Sequence, residues 1–122
     1  MKIVDFLVSR IKSLFPAIEG LVYAVKHEKN IWIHIVATFV SIVAIFLLKL
    51  TYIETLFVIS AIFIVWICEL FNTAIEYTLD FIHIEKNPKI KIIKDISAAS
   101  VFLSALYALI TAFIILFAKF SQ

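Results

Sequence analysis

The sequence has one glycine, two prolines and one cysteine in 122 residues. So little turn chemistry argues against an all-β chain, whose reversals need Gly, Pro, Asn and Asp. The lone Cys68 excludes an intrachain disulfide and a zinc site built on several thiolates, and reads as a small apolar filler. Charge is scarce as well, at 16% of residues against about 25% in soluble domains. Disorder, which needs high charge and low hydrophobicity, is thereby excluded. A net charge of +2 is too small to argue for a nucleic-acid partner, and none is expected.

Apolar residues, by contrast, make up 64% of the chain, and the mean hydropathy is +1.10. A soluble domain this small cannot bury so much apolar surface. Three apolar stretches stand out: Ile31 to Leu48, Ile53 to Ile75, and Ile96 to Ala118, the last without any charge. Each approaches the ~20 residues that a helix needs to cross the hydrocarbon core. Membrane β-strands would instead alternate over about ten residues. The expected architecture is an all-α integral membrane fold. It has one membrane domain over 1–122, with a surface helix over 1–30 and spans at about 31–50, 53–78 and 95–118.

Segment 1–30 sets Ile3, Phe6, Leu7, Leu14, Ile18, Leu21 and Val25 at helical spacings beside Lys2, Arg10, Lys12 and Lys26. That pattern suits an amphipathic helix lying in the membrane surface, bent or divided at Pro16. With three spans, this segment and the 81–95 loop share one side. That side holds Lys2, Arg10, Lys12, Lys26, Lys29, Lys86, Lys89, Lys91 and Lys94, leaving Lys49 and Lys119 on the other. The positive-inside rule then places the N-terminus and the long loop in the cytoplasm and the C-terminus outside.

The acidic residues are equally one-sided, Glu54 being the exception. Glu69, Asn72, Glu76 and Asp80 are offset by three, seven and eleven residues. At about 100° per residue they form one narrow stripe, and Glu69 lies ~10 Å along the axis from Glu76. A carboxylate at that depth costs several kcal/mol unless paired, protonated or hydrated, so Glu69 is a functional-site candidate. Structure alone could account for any one of these residues, but the complete stripe points to function. Glu28 and Asn30 precede the first span, and Lys94 and Asp95 precede the third. Glu28, Glu76 and Asp80 are hard oxygen ligands suited to Mg²⁺. Lys94 suits a phosphate, and a buried Glu can take a proton from a hydroxyl. These are the parts of phosphoryl transfer, although a single glycine rules out a Walker loop or a kinase-type glycine-rich loop. His34 reads as a packing or interhelical hydrogen-bonding residue. Trp32 and Tyr52 suit the interfacial aromatic belt.

The run Glu69-Leu70-Phe71-Asn72-Thr73-Ala74-Ile75-Glu76 with Asp80 resembles the signature of the small prokaryotic diacylglycerol kinase family. Lys94-Asp95 with Ala98 and Val101 resembles its second motif. Gly20-Leu21, Glu28-Lys29-Asn30 and Ile33-His34 resemble its N-terminal motif. The likeness extends from about Arg10 to Phe117 in the same order. It implies a homotrimeric lipid kinase of the bacterial inner (cytoplasmic) membrane that phosphorylates a lipid alcohol with ATP and Mg²⁺. Carried over by motif, Glu69 is the general base, supported by Asn72. Glu28 and Glu76 hold the metal, and Lys94 contacts the phosphates. Asp80, Asp95, Arg10 and Glu85-Lys86-Asn87 help to hold the nucleotide, and Ala98 lies with Glu69 on the lipid side. Glu28-x-Asn30 followed by His34 resembles the undecaprenol-kinase branch more than the diacylglycerol-kinase branch. Ala99 stands where the family usually has glycine.

The alternative is a small ion- or proton-conducting membrane subunit, which predicts polar residues through the full depth of the bilayer. A noncatalytic assembly subunit would not need the Glu-Glu-Lys-Asp set.

Overall fold

A computed structural model describes residues 2–82 and 87–121. Among them the chain forms five helices: α1 (Ile3–Lys12), α2 (Leu14–His27), α3 (Lys29–Leu47), α4 (Tyr52–Ile82) and α5 (Pro88–Phe120). The protein is all-α, and α3, α4 and α5 are each long and apolar enough to cross a membrane. α4 and α5 form the main antiparallel pair, and α3 leans on α4.

The first thirty residues contain two helices, and the break lies at Ser13 rather than at the expected Pro16. The Ser13 hydroxyl donates to the carbonyl of Arg10 at 2.6 Å. Pro16 therefore falls in the first turn of α2, where a missing N–H leaves no intrahelical bond unmade. Apolar residues of α1 and α2 such as Ile3, Phe6, Leu14 and Ile18 are exposed.

The α3–α4 connection is closed by two caps. Lys49 takes a left-handed φ of 49°. The Lys49 N–H donates to Phe46 at 3.3 Å, and the Leu50 N–H donates to Ile45 at 3.1 Å. This pair of bonds is a Schellman motif, which satisfies the last carbonyls of α3. Thr51 and Glu54 then form a capping box. The Thr51 N–H donates to Glu54 Oε2 at 2.7 Å, and the Glu54 N–H donates to Thr51 Oγ1 at 3.3 Å. The carboxylate also suits the positive end of the helix dipole.

Burial is inverted relative to a water-soluble domain. Among the described residues the buried ones are the apolar Ala24, Ile31, Ala61 and Ile115, and the polar Glu69, Asn72, Thr73, Ser97 and Ser104. Polar side chains turn inward and large apolar ones outward, as a hydrocarbon surrounding demands. Ion pairs join α4 to α5 at both ends: Asp80 with Lys94, and Glu54 with Lys119 at 3.2 Å.

Candidate active site

The site lies along α4, against which α2, α3 and α5 each pack. α4 supplies a stripe whose burial falls along its length. Glu69, Asn72 and Thr73 are buried, Glu76 is half-buried and Asp80 is exposed. Helical spacing puts Asn72 and Glu76 one turn apart, and the Asn72 Nδ2 donates to Glu76 Oε1 at 3.2 Å. The Asn72 Oδ1 is buried and has no partner among the described residues.

α3 approaches this stripe through polar contacts on one face. The His34 Nε2 lies 3.3 Å from the Glu69 Oε2, with side chains 15% and 5% exposed respectively. One turn further along α3, Thr38 accepts a hydrogen bond from the Trp66 indole N–H at 2.9 Å. In a membrane each such interhelical bond contributes about 1 kcal/mol. Ile31, on the same face, is fully buried.

Glu28 stands at the corner between α2 and α3 in extended conformation (φ −99°, ψ 116°). Its backbone N–H still donates to Ala24 at 2.9 Å, and its carboxylate accepts from the Tyr77 hydroxyl of α4. The Tyr77 ring packs edge-on to Tyr23, which stacks on His27 at 4.0 Å between centroids. The corner thus brings Glu28 against Tyr77 of α4.

α5 begins at Pro88, ahead of the expected span start at 95, because the helix continues beyond the apolar stretch. Asn87 caps it, its side-chain oxygen accepting from the Lys89 N–H at 2.9 Å, with Pro88 in the first turn. Lys94 pairs with Asp80 across the helices, whereas Lys91 pairs with Asp95 at 2.6 Å within α5.

The candidates therefore divide. Glu28, Glu69, Asn72, Glu76, Asp80 and Lys94 stand at contacts in or between α4 and its neighbours. Asp95 is exposed beside Lys91, and Ala98 is exposed on α5. The Asn87 side chain is engaged as a cap. Arg10 lies on α1, its guanidinium 5.4 Å from the Phe6 ring centroid, and among the described residues α1 packs on α2 alone. Glu85 and Lys86 lie outside the described residues. Sequence reasoning missed Tyr77 and did not foresee that His34 would meet Glu69. Both pairs join different helices, so no spacing within one helix announces them.

Fold and site together describe a small helical membrane protein whose buried acidic stripe and its partners lie toward one end of the bundle. A family model described as prokaryotic diacylglycerol kinase matches residues 16–116, and the chain belongs to that family. It is a lipid kinase. The chain is 32% identical over 108 residues to the undecaprenol kinase of Bacillus subtilis (strain 168), covering 88% of each chain.

Proposed function

We propose that the protein transfers a phosphoryl group from ATP to the hydroxyl of a membrane lipid alcohol, undecaprenol in preference to diacylglycerol. The observation that carries this reading is the placement of Glu69. It is buried on α4, paired with an imidazole and set deeper than Glu76, Asp80 and Lys94. A lipid hydroxyl reaches such a group from the bilayer, while a nucleotide reaches the more exposed groups from the water. Glu69 accepts the hydroxyl proton as the new oxygen–phosphorus bond forms and the bond to the leaving nucleotide breaks. Asn72 orients this part of α4 and holds Glu76. Lys94, steered by Asp80, neutralises phosphate charge. Most of the rate enhancement then comes from positioning and from charge compensation outside bulk water.

The donor set fits Mg²⁺. Glu28 and Glu76 are hard oxygen ligands, and the Asn72 side chain that donates to Glu76 carries a further buried oxygen, Oδ1, without a partner among the described residues. Among the described residues no three acidic, histidine or cysteine side chains converge on one point. Mg²⁺ suits so sparse a set, because it keeps waters and substrate phosphates in its shell. When bound it would neutralise charge on the transferring phosphates. The reading further takes residues 1–122 as one membrane domain. Residues 1–30 lie on the cytoplasmic face of a bacterial inner membrane, the C-terminus lies outside, and the chain associates as a homotrimer.

The test is purified protein in detergent with ATP, Mg²⁺ and either undecaprenol or diacylglycerol. Lipid phosphate forming with both, faster with undecaprenol, is expected. No product from either lipid refutes the proposal. One-sided clustering of the acidic residues counts against a conducting subunit, which needs polar groups across the whole bilayer.

A further inference from the structure

We propose that His34 is the positioning residue for the base, a role that rests on the kinase reading of Glu69 given above. Three observations carry it. The imidazole Nε2 is 3.3 Å from the Glu69 Oε2, and both side chains are largely withdrawn from the surroundings. Among the described residues, Glu69 has no lysine or arginine within ion-pair distance, so the imidazole is the group that compensates its carboxylate. The same imidazole borders an apolar groove between α3, α4 and α5, walled by Ser41, Ala44, Ala61 and Ala112. His34 therefore stands between the base and a depth of the bilayer where a lipid chain can lie.

The chemistry follows from which group does the compensating. A lysine or arginine would hold Glu69 as a permanent ion pair and weaken it as a proton acceptor. An imidazole is a smaller, single-point partner that approaches one carboxylate oxygen and leaves the other free of it. Held against Oε2, the imidazole steadies the carboxylate for an incoming hydroxyl. The ring centroid lies 6.5 Å from that of Trp66, with the planes tilted by 58°. A base that must meet a hydroxyl in a narrow range of angles gains from such orientation, since a misplacement of about 1 Å can cost ~100-fold in rate.

The test compares His34→Leu, His34→Gln and Thr38→Val in the lipid phosphorylation assay, with helix content and elution profile checked for each. His34→Leu is expected to lower kcat about ten- to a hundredfold while moving the lipid KM by less than about threefold. His34→Gln keeps a donor N–H and is expected to recover most of kcat. Thr38→Val breaks the neighbouring α3–α4 contact without touching Glu69 and is expected to leave kcat near wild type. If His34→Leu does not fold, His34→Gln and His34→Asn decide, because the shorter asparagine cannot reach Glu69. Equal rates for that pair overturn the proposal. So do an unchanged kcat in His34→Leu, and a loss in Thr38→Val as large as that in His34→Leu. A wild type that phosphorylates neither lipid overturns the kinase reading itself, a result distinct from an active wild type indifferent to position 34.

Discussion

Glu54 and Glu69 are the same residue type on one helix, and their surroundings differ at every point. The Glu54 Oε2 accepts from the Thr51 N–H at 2.7 Å and lies 3.2 Å from the Lys119 Nζ. It fastens the start of α4 to the end of α5 with a backbone donor and a permanent cation. Glu69 is buried and faces an imidazole from α3. A carboxylate committed to such donors serves as an anchor. One whose partner is a single weak donor keeps the capacity to take a proton. Partners therefore separate structure from chemistry here, where residue type does not.

The largest expected effect is that of Glu69→Gln, which retains shape and removes the proton acceptor. Phosphorylation should fall by about 10² to 10⁴ while helix content and elution stay as in wild type. Normal turnover would erase the distinction between the two glutamates. Next, Glu76→Gln should raise the Mg²⁺ concentration giving half-maximal rate by about ten- to a hundredfold, read from a metal titration. The corresponding Glu54→Gln should leave that titration unmoved. At the anchoring end, Thr51→Ala removes an acceptor for the α4 terminus and should cost about 1 kcal/mol of stability, with kcat unchanged. Thermal unfolding in detergent would show it as a lowered midpoint. The smallest effect is Lys49→Gly, which relieves a left-handed backbone and should stabilise by about 0.5–1 kcal/mol, again without altering turnover.

The spans were legible because the hydrocarbon core imposes a length on apolar stretches, and the stripe from Glu69 to Asp80 because helical spacing imposes a direction. Helix ends were less legible. α4 runs to Ile82 and α5 starts at Pro88, since apolar length records membrane thickness and the helices continue past it. The division at Ser13 escaped notice because proline is the stronger breaker on paper, yet a first turn tolerates it. Contacts between helices were the least legible. His34 with Glu69 and Tyr77 with Glu28 depend on how α3 and α4 are rotated about their axes. Nothing in the periodicity of one helix specifies that rotation relative to another. Lys94 and Asp80 each stood out as a charge near a span end, and their pairing had to await the antiparallel register of α4 and α5.

The turn from Leu48 to Thr51 leaves few free backbone groups, because one cap closes α3 and the next opens α4. Between those two helices the apolar groove that borders His34 runs along to Leu48 and Leu50, so its far end is closed by this capped turn. A compound that filled this groove would meet mostly apolar side chains, so it has to be greasy enough to arrive along the bilayer, whereas one aimed at the other end has to be polar enough to compete with the nucleotide.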